Sequence, residues 1–161
     1  MLLCAIISAL GGCAATPPPK SAESALHGKP VPTFSKRAID GARGDTKKLA
    51  GRVVVVKFIA KYCEPCKKTL PAAERLHRDH PEVVMIGIAE DEYRSEVQEV
   101  IDTYHLSFPI VHDAGNILSG RFRVSEMPST FVIDKKGTVR WVAGERQTED
   151  ALRQAVEAFL K

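Results

Sequence analysis

The sequence lacks an apolar run long enough for a transmembrane helix, and it also lacks a stripe of basic residues. Its most apolar stretch covers only residues 1–15, whereas a membrane-spanning helix needs about 20 apolar residues. Lysine and arginine are scattered along the 161 residues and the net charge is +3, so nothing marks a nucleic-acid surface. With 44% hydrophobic and 27% charged residues, the composition is typical of one soluble globular domain.

Cysteine is also scarce, and its four copies fall into two separate groups. Cys4 and Cys13 lie in the apolar N-terminal run, while Cys63 and Cys66 form a C-x-x-C pair. Because we expect the N-terminal run not to fold with the rest, the four cysteines do not predict a framework of two structural disulfides. The C-x-x-C pair is therefore the candidate reactive group.

The N-terminal run reads MLLCAIISALGGCAA and contains no charged side chain. Apolar residues followed by small ones are typical of a secretory signal. The last part, Leu10-Gly11-Gly12-Cys13, resembles a bacterial lipobox, which implies cleavage before Cys13 and lipidation of Cys13. We therefore expect residues 1–12 to be a lipoprotein signal peptide. The alternative is an apolar leader in which this cysteine has no role.

A lipid anchor at Cys13 implies an exported protein attached to a membrane and facing the periplasm or cell envelope. By analogy with sorting in Gram-negative bacteria, Ala14 after the cysteine favours the outer membrane. The next stretch, residues 16–30, is rich in proline, serine, alanine and glycine, which is typical of an extended linker. We expect residues 13–30 to form a flexible Pro-rich tether and residues 31–161 to form the folded domain.

Hydrophobic periodicity predicts alternating strands and helices in the folded part. β-branched runs predict two buried strands at residues 53–59 and 83–89, and a later pair of strands forms a hairpin at residues 130–133 and 139–142. A short extended piece is expected at residues 108–111. Helical spacing predicts helices at residues 67–80, 93–104, 117–122 and 148–160. This order is typical of an α/β fold with a mixed sheet.

The segment Cys63-Glu64-Pro65-Cys66 follows a predicted strand and opens a predicted helix. Two side chains three residues apart share one helix face and can form a disulfide. Free amides and the positive dipole end of the first turn stabilise a thiolate at Cys63. We therefore predict that Cys63 is the attacking thiol and that the more shielded Cys66 is the resolving thiol. Pro65 is tolerated because first-turn amides lack an intrahelical acceptor.

Residues 53–66, VVVVKFIAKYCEPC, resemble the strand, active-site loop and helix start of the thioredoxin superfamily. Pro71 matches the kink proline of that family's active-site helix, and Met127-Pro128-Ser129 resembles its cis-proline loop. Within the superfamily, the Cys-Glu-Pro-Cys motif is similar to that of exported reductases related to cytochrome c maturation. The resemblance implies a thioredoxin fold, with a central mixed β-sheet flanked by helices, an N-terminal extension and a central insertion.

The same resemblance implies the activity of a thiol-disulfide oxidoreductase and assigns roles to residues. Its catalytic residues are Cys63 and Cys66, and its substrate-binding loop comprises Met127, Pro128 and Ser129. No cofactor is expected besides the redox-active disulfide. The implied partners are exported proteins with disulfides, apocytochrome c among them, and a membrane thiol-electron donor. We expect a monomer that binds neither metal nor nucleic acid.

Four residues are expected to modulate the site: Tyr62, Glu64, Pro65 and Lys57. Tyr62 replaces the usual tryptophan, and Lys57 occupies a strand position where thioredoxins keep a buried acid. Thr69 occupies a position where the cysteine-motif reductases often carry glutamate, so the usual carboxylate proton acceptor is absent from both places. Glu64 is an exposed partial substitute. We expect Lys57 to reach solvent at the strand end; the alternative is that it points toward the cysteines and lowers the thiol pKa.

Three other functions fit the residues less well. A zinc site would need Cys63, Cys66, His77 and His80, but their spacing differs from that of zinc fingers, and one helix would separate the pairs by about 16 Å. A redoxin-type thiol peroxidase normally has threonine three residues before its reactive cysteine, where this chain has Ala60. A non-enzymatic binding module would use the C-x-x-C bridge structurally, although so short a ring stabilises little.

The direction of the redox reaction is open from charges alone. Glu64 disfavours a thiolate at Cys63, whereas Lys61, Lys67 and Lys68 favour it. The resemblance favours a reductase over a disulfide-donating oxidant or an isomerase.

Overall fold

The computed structural model of this protein describes residues 19–161. Its first elements are two short antiparallel strands, β1 (Ser35–Arg37) and β2 (Arg43–Asp45), which the sequence patterns did not predict. The turn between them contains Asp40-Gly41, a common hairpin signal, and Gly41 has a φ of 88°. A 3-10 turn at Thr46–Leu49 follows and leads into the central sheet.

The central sheet has five strands, and the first of them along the chain is the middle strand of the sheet. Its strands are β3 (Val54–Ile59), β4 (Val84–Ala89), β5 (Ile110–His112), β6 (Ser129–Ile133) and β7 (Val139–Ala143). The first three are parallel and the last two are antiparallel, in the spatial order β5-β4-β3-β6-β7. All six residues of β3 are buried, as a central strand covered on both faces requires.

Four helices connect and cover these strands, and each corresponds to a predicted one. The first helix begins three residues before its predicted start, because Cys63 caps it and Pro65 is accommodated in its first turn. The predicted α/β fold with a mixed sheet flanked by helices is therefore confirmed. The helices are α1 (Glu64–Asp79), α2 (Arg94–Tyr104), α3 (Ile117–Phe122) and α4 (Glu149–Leu160).

Side chains of β3 point alternately to the two faces of the sheet, and each face has its own apolar cluster. Val54, Val56 and Phe58 face a cluster that contains the packed rings of Phe122 and Phe131. Val53, Val55 and Ile59 face the opposite cluster, which contains both cysteines and side chains of α1, α2 and α4. We call this second cluster the cysteine-side core. Because successive strand residues point to opposite faces, Lys57 points to the cysteine-side core.

Residues 22–31 lie along the outer edge of β7, although the sequence predicted residues 13–30 as a flexible tether. The amide of Ala22 donates to the carbonyl of Val142 at 2.7 Å, and the amide of Gly28 donates to that of Val139 at 2.8 Å. Leu26 is buried. These contacts correct the predicted domain boundary at residue 31, because a segment that covers the edge of a sheet belongs to the folded domain.

The predicted signal peptide, residues 1–12, and the predicted lipidation site, Cys13, lie outside the described residues. None of the helices in residues 19–161 has the length and hydrophobicity that crossing a membrane requires.

Candidate active site

Cys63 and Cys66 form a disulfide at the start of α1, with their Cα atoms 5.2 Å apart. Cys63 is the N-cap residue, and its Sγ accepts a hydrogen bond of 3.1 Å from the backbone N–H of Cys66. A thiolate at Cys63 would keep this donor and would also face the positive end of the helix dipole.

Cys63 is more exposed than Cys66, as the sequence predicted. Cys63 is 5% exposed and Cys66 is 0% exposed. A sulfur atom from another molecule can therefore approach Cys63, whereas Cys66 is covered by the domain. Exchange must begin at Cys63, because a nucleophile or a substrate disulfide has to reach the sulfur that it attacks.

The loop Met127-Pro128-Ser129 lies at the same end of the sheet as the disulfide. The Met127–Pro128 bond is cis, as the resemblance implied. Ser129 begins β6 and is in register with Phe58 near the end of β3, which brings this loop beside the segment that leads to Cys63. The hydroxyl of Ser129 donates to the carbonyl of Glu126 at 2.7 Å and fixes the loop.

Tyr62 and Glu64 flank Cys63 on the surface. The Tyr62 side chain is 69% exposed and offers an aromatic surface next to the disulfide. Glu64 is exposed, as predicted, and forms an ion pair with Lys67. Lys61 pairs with Glu99 at 2.7 Å. These two lysines were expected to favour a thiolate, but each has a carboxylate partner that offsets its charge.

Lys57 is the site residue that the structure places most differently from expectation. It does not reach solvent, since its exposure is 0%. Its Nζ donates a hydrogen bond of 3.1 Å to Oγ1 of Thr130, the residue opposite it on β6. Burial lowers the pKa of Lys57 to about 7, because a low-dielectric surrounding disfavours the ammonium form. The predicted escape to the strand end is wrong because Lys57 lies in the middle of a central strand covered on both faces.

Thr69 lies at the position where the resemblance led us to expect a glutamate. It is buried, and its hydroxyl donates to the carbonyl of Cys66 at 3.0 Å. This hydrogen bond ties the side chain to the backbone of the first turn of α1. Thr69 therefore stabilises the helix turn that bears Cys66 and has no carboxylate with which to accept a proton.

The sequence analysis missed Asp91, although its carboxylate contacts the backbone of the loop that precedes Cys63. Its Oδ1 accepts the backbone N–H of Lys61 at 2.8 Å, and Asp91 is buried. Burial raises the pKa of its carboxyl group. Its position just after β4 was the available signal, because the carboxyl ends of neighbouring parallel strands meet at one edge of a sheet.

Glu90 precedes Asp91 and forms a second acidic side chain at this edge. It accepts a hydrogen bond from the hydroxyl of Ser119, and burial raises the pKa of its carboxyl group. Asp113 lies nearby on the chain after β5 and accepts the N–H groups of Leu118 and Ser119. Within residues 19–161 no three His, Cys, Asp or Glu side chains converge as metal ligands would.

Comparison with known proteins connects this site to characterised sequences. Residues 27–142 match the model of the AhpC/TSA family. The thiol-disulfide oxidoreductase ResA of Bacillus thuringiensis is 33% identical over 137 residues, which cover 83% of this chain and 76% of ResA. ResA of Bacillus subtilis is 30% identical over 132 residues, covering 81% of this chain and 74% of that protein.

A solved structure supports the same relationship at the level of the fold. The structure of dsbF of Mycobacterium tuberculosis, in its mixed oxidised and reduced forms, superposes with a TM-score of 0.74 at 28% identity. The match covers 80% of this chain and 98% of that one.

Proposed function

The chain belongs to the AhpC/TSA family as a relative of the ResA thiol-disulfide oxidoreductases, and from this premise we propose that it reduces disulfides in exported proteins. The reacting group is the Cys63–Cys66 pair. The observation that carries the proposal is the unequal placement of the two sulfurs, with Cys63 at the helix N-cap near the surface and Cys66 fully covered.

The reaction begins with the reduced pair. The Cys63 thiolate attacks one sulfur of a substrate disulfide, a Cys63–substrate bond forms, and the other substrate sulfur leaves as a thiolate. Cys66 then attacks Cys63 and displaces the second substrate sulfur. The substrate gains two electrons and the pair becomes the disulfide seen in the structure. A further dithiol must reduce Cys63–Cys66 again before the next turnover.

The surface around Cys63 suits an extended substrate chain. Tyr62 provides an exposed aromatic face on one side of the disulfide, and the Met127-Pro128-Ser129 loop lies on the other. A substrate backbone placed along the loop could pair with it as an added strand. Glu64, held by Lys67, would then lie at the edge of the bound chain.

Export and membrane anchoring belong to the same proposal. A lipid on Cys13 would keep the domain at a membrane surface, facing the periplasm or cell envelope, where protein disulfides occur. The anchor is not needed for the chemistry itself, which resides in residues 19–161. Apocytochrome c is the substrate that we propose first, with a membrane thiol-electron donor that returns the pair to its dithiol form.

Trapping tests the proposed function directly. In cells, the full-length Cys66→Ser variant should accumulate mixed disulfides with exported proteins, because Cys63 still attacks but nothing resolves the product. The matched control is Cys63→Ser, which should trap nothing because the accessible sulfur is gone. Partners identified by mass spectrometry would show whether cytochrome c is among them. If Cys66→Ser captures no more protein than Cys63→Ser, the proposed function is wrong.

A further inference from the structure

The cysteine-side core contains a buried lysine that the exchange scheme has not used. Lys57 is 0% exposed, and its only hydrogen bond from Nζ within residues 19–161 goes to the hydroxyl of Thr130. No carboxylate of that part of the chain forms an ion pair with it. A buried ammonium without a counterion is costly, so a lysine at such a position is favoured in its neutral form.

Lys57 lies on the same face of β3 as the residues that pack around the disulfide. Val55 and Ile59, its neighbours on that face, belong to the cluster that contains Cys63 and Cys66. Two other titratable side chains near this core have a buried atom without a hydrogen-bond partner in residues 19–161: Nδ1 of His77 and Oδ2 of Asp91. His77 lies 11 residues beyond Cys66, about 16 Å along the helix, and the other oxygen of Asp91 accepts the backbone N–H of Lys61. Glu74 accepts hydrogen bonds from Arg78 and Ser107; His77 packs against Phe108, and Tyr104 lies at the rim of the cluster.

The resolving step needs a proton acceptor in this same core. Cys66 is fully buried, and a buried thiol must lose its proton before it can attack Cys63. Thr69 and Thr130 carry hydroxyl groups, which do not accept a thiol proton at neutral pH. The amine of Lys57, with a pKa of about 7, is a basic group on the face of β3 that packs around the disulfide.

We propose that Lys57 accepts the proton of Cys66 during the resolving step; this inference rests on the proposed function. The neutral amine takes the Cys66 proton and becomes an ammonium, while the Cys66 thiolate attacks Cys63 and the Cys63–substrate bond breaks. The departing substrate thiolate takes a proton from Lys57 or from water, and the amine is restored. Reduction of the pair runs the same transfer in reverse, with the Lys57 ammonium protonating Cys66.

The test separates the two sulfur steps in the reduced full-length protein with Cys4→Ser and Cys13→Ser, so that Cys63 and Cys66 are its only thiols. An aromatic disulfide that releases a coloured thiolate reports both in one stopped-flow trace: the first release marks attack by Cys63 and the second marks resolution by Cys66. The Cys66→Ser variant identifies the second phase by its loss. Lys57→Met keeps the size of the side chain but cannot take a proton, Lys57→Arg keeps the charge but cannot take a proton, and Lys136→Met is the matched loss of an exposed lysine.

Lys57→Met should slow the second release by at least about tenfold at pH 7, with the deficit shrinking above about pH 9, where the thiol ionises by itself. Lys57→Arg should remain slow and Lys136→Met should match the unchanged protein. The proposal is overturned if Lys57→Met keeps the normal second phase, if it slows that phase equally at every pH, or if Lys57→Arg restores it. None of these results bears on trapping by Cys66→Ser, so failure of this inference is distinguishable from failure of the proposed function.

Discussion

Nζ of Lys57 donates a hydrogen bond of 3.1 Å to Oγ1 of Thr130 across the antiparallel pair β3 and β6, with both residues fully buried. A hydroxyl can accept this bond but cannot neutralise an ammonium. The fold therefore holds a titratable amine at its centre without an ion partner in the described part of the chain, and stability and reactivity should both depend on its protonation.

Lys57→Met should stabilise the protein at neutral pH. The pKa of Lys57 falls from 10.5 to about 7 on folding, so between these values the unfolded chain holds a proton that the folded one lacks, and stability rises with pH. The destabilisation caused by the buried Lys57 ammonium is fully present below about pH 7 and absent above about pH 10.5. It amounts to about 5 kcal/mol at most. Urea unfolding across this range checks the prediction.

The Lys57→Met prediction can be checked with a control variant and contradicted by one result for the unchanged protein. Lys136→Met, at the exposed turn after β6, should change stability by less than about 0.5 kcal/mol at every pH. If the stability of the unchanged protein is flat between pH 7 and pH 10, the ammonium of Lys57 is solvated in the folded protein and the described burial is wrong.

The reduction potential of Cys63–Cys66 should lie near or below about −250 mV, close to that of thioredoxin. Lys61 and Lys67 pair with carboxylates, so their charges add little stabilisation to a thiolate, and a less stabilised thiolate makes the pair more reducing. Equilibration with dithiothreitol, followed by thiol counting from mass shifts, measures it. A value near about −120 mV would identify a disulfide-donating oxidant instead.

Asp91→Ala should destabilise the protein by about 1–3 kcal/mol, since the backbone N–H of Lys61 loses the carboxylate oxygen that accepts it. Asp91→Asn keeps an oxygen acceptor and removes a charge. Burial raises the pKa of Asp91, so the carboxylate costs stability as pH rises through the folded pKa. Asp91→Asn should thus be at least as stable as the unchanged protein at pH 7, with any gain lost in acid. Equal losses in both variants, measured by urea unfolding, would contradict this account.

Glu74→Gln should destabilise the domain at neutral pH by about 1–2 kcal/mol. Burial opposes ionisation of Glu74, but hydrogen bonds from Ser107 and the ion pair with Arg78 outweigh it and lower the pKa of the carboxyl group. Its contribution is present above the unfolded pKa and disappears as pH falls through the folded pKa.

The contrasting variant for Glu74 is Arg78→Met. Because the Arg78 side chain is 63% exposed, its removal should cost less than about 1 kcal/mol. Thermal unfolding of both variants at pH 7 and at pH 4 gives the comparison; a larger loss from Arg78→Met would reverse the assigned order of the two interactions.

Leu26→Ala should destabilise the protein by about 2 kcal/mol, since Leu26 is buried in the segment that covers β7. The exposed Lys29→Ala, in the same segment, should be close to neutral. Urea midpoints distinguish the two possibilities for residues 22–31, because no change from Leu26→Ala would restore the interpretation of this segment as a free tether.

Local sequence patterns predicted the elements that carry the reaction. The β-branched run before the C-x-x-C pair and the helical spacing after it placed Cys63 at a helix start, and all four predicted helices were found. The hairpin of β1 and β2 was missed, because each strand has only three residues and its Asp40-Gly41 turn was the sole local signal.

By itself, the sequence determined which two cysteines pair and which of them is shielded, since both follow from spacing and from the geometry of a helix start. Only the tertiary structure decided the environment of Lys57 and the role of Asp91. The partner of Lys57 lies 73 residues further along the chain, and the amide that Asp91 binds lies 30 residues before it. Burial and hydrogen bonding between such distant residues depend on how strands and helices pack, and periodicity along one strand carries no record of that packing.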